Sequence, residues 1–109
     1  MATRRSRPRG WHEGSRAWLT TLGDALRFRY DTASDWNAAL SSALEDQLRT
    51  DGMKERRARD RVTLRCCRLA VLLVAQMKQQ DAARYLGVSE RTAKRDAQRL
   101  RRVVESGAL

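Results

Sequence analysis

The residues best suited to chemistry in this chain are arginines that lie one helical turn apart near its C-terminal end. Arg91 and Arg95 are four positions apart, so on a helix their side chains share one face. A guanidinium can donate two parallel hydrogen bonds to the O6 and N7 atoms of guanine in the major groove of DNA. The pair therefore predicts contact with base edges, provided that a helix presents both side chains to a duplex.

Polar neighbours extend this predicted surface. Glu90 can accept from cytosine N4 or interact with the positive N-terminus of its own helix. Gln98 can read adenine or reach only phosphate, and Thr92 fits a phosphate contact better than a base contact. The other predicted DNA-binding residues are Ser89 and Lys94 on the same helix, Gln79, Gln80 and Arg84 on the preceding helix as backbone clamps, and Arg4 and Arg5 near the N-terminus.

Positioning these side chains requires a short helix, a sharp turn and a second helix. Gly87 tolerates the positive φ that ends a helix abruptly, and Ser89 is suited to cap the next helix. Ala83 is small enough for the two helices to approach closely. Apolar residues at helical spacing then close the angle between the helices and form the inner face of the second: Leu86, Val88, Ala93, Ala97 and Leu100. The pattern predicts a helix-turn-helix, with a recognition helix from Ser89 to about Val104.

The segment Leu86-Gly87-Val88-Ser89-Glu90-Arg91-Thr92, followed by Lys94-Arg95-Asp96 and Leu100, resembles the helix-turn-helix of DeoR-type bacterial repressors. It is also similar to the motif of phage regulators, resolvases and the promoter-reading domain of sigma factors. The resemblance covers residues 66–104 and implies DNA binding without a wing. It departs from the pattern at Ala93 and Ala97, where larger aliphatic residues are usual, and at Lys78, where Ser or Thr commonly caps the first helix.

Charge is distributed unevenly along the 109 residues, whose net charge is +10. Residues 1–10 contain four arginines and no acid, and we expect a flexible basic arm that tracks DNA or acts as a disordered tail. Residues 11–53 contain seven acids and four bases, which disfavours a DNA-facing role. Asp96 also fits phosphate poorly, and we expect it to pair with Arg84, Arg95 or Arg99.

Periodic apolar residues predict an all-α fold of about five helices with no β-sheet. The first helix is expected over 14–30, and Thr32 with Asp35 forms a capping box that opens the second. The third, from about Lys54 to Met77, is apolar on most sides and should be the buried central element. Apolar stripes in 11–53 exceed the needs of one three-helix unit, so this helical hairpin is expected to dimerise, while 54–109 binds DNA. Those stripes are centred on Trp18, Leu22, Trp36, Leu40 and Leu44.

Several functional classes are disfavoured by composition. His12 is the single histidine, and the two cysteines, Cys66 and Cys67, are adjacent and cannot easily bridge each other. These three residues do not have the spacing of a metal site or of a catalytic set, so no metal, cofactor or catalytic residue is expected. The longest apolar run, Leu69 to Ala75, is too short to span a bilayer, so we expect a cytoplasmic protein.

The sequence predicts a sequence-specific transcriptional regulator, bacterial or phage in type and not an enzyme, that binds double-stranded DNA as a homodimer through residues 11–53. Two alternatives stay open. One is a packaging or recombination accessory protein that marks a DNA site, and the other is an activator or antiterminator that contacts RNA polymerase.

Overall fold

Five α-helices, and no strand, make up the part of the chain that the structure describes. The computed structural model describes the backbone of residues 7–109 and the side chains of residues 16–109. The first helix continues into a π-helical segment, Ala25–Arg29. The all-α prediction is confirmed, with helices α1 (Arg7–Asp24), α2 (Ala33–Thr50), α3 (Arg56–Val74), α4 (Gln79–Leu86) and α5 (Glu90–Glu105).

Local signals set the ends of α2. The Thr32 hydroxyl accepts a hydrogen bond from the Asp35 amide at 3.0 Å, as expected of a helix cap. Gly52 follows the helix with a φ of +98°, a conformation that favours glycine. The predicted start of this helix is therefore confirmed, and Gly52 provides its stop.

Helix α3 lies at the centre of the fold and contacts α1, α2, α4 and α5. Its inward face is fully buried at Cys66, Leu69 and Ala70. The expectation that α3 is buried on most sides is wrong, because Leu64 and Val71 are about half exposed on its outer face. The helix is amphipathic, and its apolar run includes residues that the neighbouring helices do not cover.

The apolar stripes of α1 and α2 face the interior of the same chain. Trp18 is nearly buried, and Leu22, Trp36, Leu40 and Leu44 are buried completely or almost so. The indole nitrogen of Trp36 also donates to the Leu22 carbonyl at 3.3 Å. The premise that these stripes need a second copy is therefore incorrect, because α3 and α5 cover them.

Helix boundaries differ from the predictions at two places. Helix α1 already begins at Arg7, so the last four residues of the predicted arm are helical, in a stretch with no apolar periodicity to signal it. Helix α3 ends at Val74, and Gln76 adopts a φ of +74° before α4 begins at Gln79. In the described part of the chain, no helix combines the length and apolarity needed to cross a membrane.

Candidate nucleic-acid interface

The turn between α4 and α5 has the backbone geometry that the sequence predicts. Gly87 has a φ of +73° and ends α4. The Val88 amide donates to the Ala83 carbonyl at 3.0 Å, and the Gly87 amide donates to the Arg84 carbonyl at 3.2 Å. This double closure is a Schellman motif, which satisfies the last carbonyls of the helix. A Cβ on Gly87 would meet no atom within 4 Å, so the backbone conformation, and not lack of space, favours glycine.

Ser89 caps α5 through its side chain. The Ser89 hydroxyl accepts from the Thr92 amide at 3.1 Å and donates to the Thr92 hydroxyl at 3.1 Å. Because Thr92 accepts here, its own hydroxyl proton is available to a ligand such as a phosphate oxygen. Of these two predicted contact residues, Ser89 therefore has a structural function and Thr92 retains a donor.

Small residues seat α4 and α5 against the rest of the domain. Ala83 on α4 and Ala93 on α5 are buried, as are Ala97 and Leu100 one and two turns later. Alanine at three of these positions permits close approach of the helix backbones. The inner face of α5 is thus the predicted one, and its opposite face is left to solvent.

A buried ion-pair cluster anchors the middle of α5 to α3. The Asp96 side chain is only 1% exposed and accepts from Arg65 on α3, at 2.5 and 3.1 Å, and from Arg99 at 2.7 Å. The hydrogen bond to Asp96 raises the pKa of Arg65 above its ordinary value. The predicted pairing with Arg99 is confirmed, but Asp96 pairs with neither Arg84 nor Arg95. Arg65 was missed because it lies 31 residues away in sequence and no local pattern joins the two.

The outer face of the N-terminal part of α5 is polar and basic. Among residues 16–109, neither Arg91 nor Arg95 forms an ion pair, and the same holds for Lys94 and for Arg84 on α4. Of the predicted contact residues on the two helices, only Thr92 is half-buried. The exposed ones are Gln79, Gln80, Arg84, Ser89, Glu90, Arg91, Lys94, Arg95 and Gln98. Arg4 and Arg5 lie outside the described residues.

A cleft of about 470 Å³ adjoins this surface, between α1, the α3–α4 connection and α5. Gln79, Lys94 and Gln98, all predicted contact residues, line one side of it. Arg16 on α1 and Lys78 before α4 also line it, and neither was predicted to contact DNA. No sequence signal could have placed Arg16 there, because only the packing of α1 beside α5 brings it close.

Cys66 and Cys67 are free thiols within the core. Burial raises the pKa of both, and Cys67 is 3.2 Å from the Ser41 hydroxyl, a contact that partly opposes this rise. Both therefore remain protonated near neutral pH and pack as small apolar residues.

Comparisons of this chain with protein-family models, with curated proteins and with solved structures find no match. A functional interpretation therefore depends on the residues of this surface and on the geometry that holds them.

Proposed function

We propose that this protein is a sequence-specific transcriptional regulator that binds double-stranded DNA, with α5 lying in the major groove. The observation that carries the proposal is a tightly turned α4–α5 unit with a capped α5. Four of its exposed basic side chains have no carboxylate partner among residues 16–109: Arg84, Arg91, Lys94 and Arg95. A basic helix face without internal partners is suited to phosphate and base edges, both of which are rich in acceptors.

Arg91 and Arg95 are the proposed base readers. Both are exposed in the first two turns of α5, the part of a recognition helix that enters the groove. Thr92 and Lys94 contact phosphate in this proposal, and Arg84 clamps the backbone from α4. The buried Asp96 fixes the rotation of α5 about its axis, which determines the direction in which the readers point.

The proposal includes a homodimer, because one recognition helix covers few base pairs and two half-sites add affinity. The buried stripes of α1 and α2 are not available for this contact. A dimer through residues 11–53 would use the exposed outer faces of these helices instead.

The test begins with selection of bound sites from random duplex DNA, followed by mass measurement of the complex. Arg91→Ala and Arg95→Ala should each relax preference at particular base pairs of the selected site. Arg49→Ala is a matched control, since Arg49 is an exposed arginine on α2 that pairs with Glu45 and Asp46. Equal binding of selected and random duplexes at every salt concentration would contradict the proposal. A ring or larger oligomer on DNA would contradict the dimeric regulator and favour an assembly factor.

A further inference from the structure

The cleft beside α5 continues into a second cavity along α1. The larger cleft is lined by Arg16 and Leu19 of α1 on one side and by Lys78, Lys94 and Gln98 on the other. The adjoining cavity, of about 240 Å³, shares Arg16, Leu19 and Leu73 with the cleft and extends to Thr20, Gly23, Arg27 and Gln76. Because they share three lining residues, the two cavities adjoin, and together they are called the groove. Of the two, only the larger is lined by residues of α5.

The groove has donors at its rim and apolar side chains in its floor. Arg16, Lys78 and Lys94 contribute charge, and Gln79 and Gln98 contribute amide donors. Arg101 also lines the cleft, but its guanidinium is paired with Glu105. No carboxylate lines either cavity in the part of the chain whose side chains are described. The floor consists of apolar side chains: Trp18, Leu19, Leu73, Met77 and Ala97.

The combination of a polar rim and an apolar floor suits a sugar–phosphate strand. Phosphate oxygens accept from the cationic and amide groups of the rim, while the hydrocarbon face of deoxyribose can lie against the apolar floor. A phosphate between Arg16 on one side and Lys78 or Lys94 on the other would be attracted by both cations.

Gly23 contributes to the shape of the far end of the groove. It is buried on α1, and a Cβ there would lie 3.1 Å from the guanidinium of Arg27. The missing side chain lets Arg27 fold back over α1, where the guanidinium is 3.8 Å from the Asp24 carboxylate. Arg27 is thus partly neutralised, and Arg16 is the main cation that α1 brings to the groove.

We infer that the groove between α1 and α5 holds the sugar–phosphate backbone that flanks the base pairs read by α5, with Arg16 as a phosphate ligand from outside the helix-turn-helix. The inference rests on the proposed DNA-binding function. It adds a further contact site and the side of the half-site on which that contact is made. The N-terminal segment, which sequence alone assigned to dimerisation, would then extend the DNA footprint to one side of each half-site.

The test compares Arg16→Gln with Arg49→Gln, an equal change of charge at an exposed arginine of α2. Affinity is measured against salt for a long duplex carrying the selected site and for duplexes trimmed on each side in turn. For the long duplex, Arg16→Gln should reduce the slope of log K against log salt by about 0.9, the value for one phosphate contact. Trimming the flank that lies in the groove should abolish the difference from the parent protein, and base preference should not change.

Lys78→Gln, on the opposite wall, should give a similar loss of slope, and Arg16→Lys should restore most of it. Thermal unfolding of each variant checks that the fold is retained. An unchanged slope for both Gln variants would overturn the inference, and so would a loss that survives trimming on both sides. If Arg91→Ala relaxes base preference while Arg16→Gln changes nothing, the inference alone is wrong. If the parent protein binds no duplex, the proposed function fails with it.

Discussion

The two halves of α5 carry similar numbers of basic residues but use them differently. In the N-terminal half, 90–98, Arg91, Lys94 and Arg95 face outward without an ion-pair partner among residues 16–109. In the C-terminal half, 99–105, every arginine is paired. Arg99 lies 2.7 Å from Asp96, Arg101 lies 2.9 Å from Glu105, and Arg102 lies 2.9 Å from Asp51 at the end of α2.

This contrast shows that a count of basic residues does not distinguish side chains that stabilise the fold from side chains that are available to a ligand. Two contacts hold the C-terminal half of α5 against α2. Arg102 pairs with Asp51, and the Gln47 side chain donates to the Arg99 carbonyl at 3.3 Å. Among residues 16–109, the N-terminal half is held by the buried side chains of its inner face, which are Ala93, Ala97 and Asp96. Substitutions at five positions test whether the two halves differ in this way.

The largest expected effect comes from the boundary between the halves. Asp96→Asn removes the buried negative charge while Arg65 and Arg99, 28% and 17% exposed, keep theirs. Breaking such a cluster from one side should lower the free energy of unfolding by about 3–5 kcal/mol. Urea unfolding followed by circular dichroism measures this loss. A decrease below about 1 kcal/mol would show that the Asp96 cluster does not anchor α5.

The next effect separates ligand binding from stability. Arg91→Ala should cost about 1–3 kcal/mol of binding to a selected duplex and leave thermal unfolding unchanged, because its guanidinium has no partner in the described part of the protein. Arg102→Ala should lower thermal stability and leave base preference intact. Isothermal titration and thermal melting of both variants give the comparison. If Arg102→Ala changed base preference and Arg91→Ala did not, the two halves of α5 would not have the different functions proposed for them.

A smaller effect is expected at the start of α5. Ser89→Ala removes the cap on the Thr92 amide and should cost about 1 kcal/mol of stability, whereas Ser89→Gly should cost only a few tenths. Equilibrium unfolding gives the free energy of unfolding of each variant, and the difference between the two variants tests this expectation. Equal stability of the Ala variant and the parent protein would mean that the cap contributes nothing to α5.

The smallest expected effect is the pH dependence of the Asp51–Arg102 pair. The hydrogen bond from Arg102 holds the pKa of Asp51 below its ordinary value of 3.8. The ionised carboxylate therefore stabilises the fold above that pH, and the contribution is lost as pH falls through the folded-state pKa. Asp51→Asn should melt slightly lower than the parent at pH 7, and the gap should narrow below pH 3.8. A gap that is constant with pH would exclude this ion pair as its cause.

Local chemistry in the sequence determined both ends of α2, the end of α4 and the beginning of α5. Thr32 and Ser89 cap because a hydroxyl can satisfy an amide three residues on, and Gly52 and Gly87 end helices because they adopt positive φ readily. The five-helix fold and the outward face of α5 follow from apolar spacing alone. These features depend on contacts within a few residues, which a single sequence displays directly.

Tertiary structure decided what covers each apolar face and what neutralises each charge. The α1 and α2 stripes predict burial, but only the packed fold shows that α3 and α5 of the same chain provide it. Asp96 predicts a basic partner, but Arg65 comes from another helix. The placement of Arg16 in the same cleft as Lys94 likewise depends on the docking of α1. Residues far apart in sequence meet only after the helices pack, and one sequence offers many arginines that could occupy each such position.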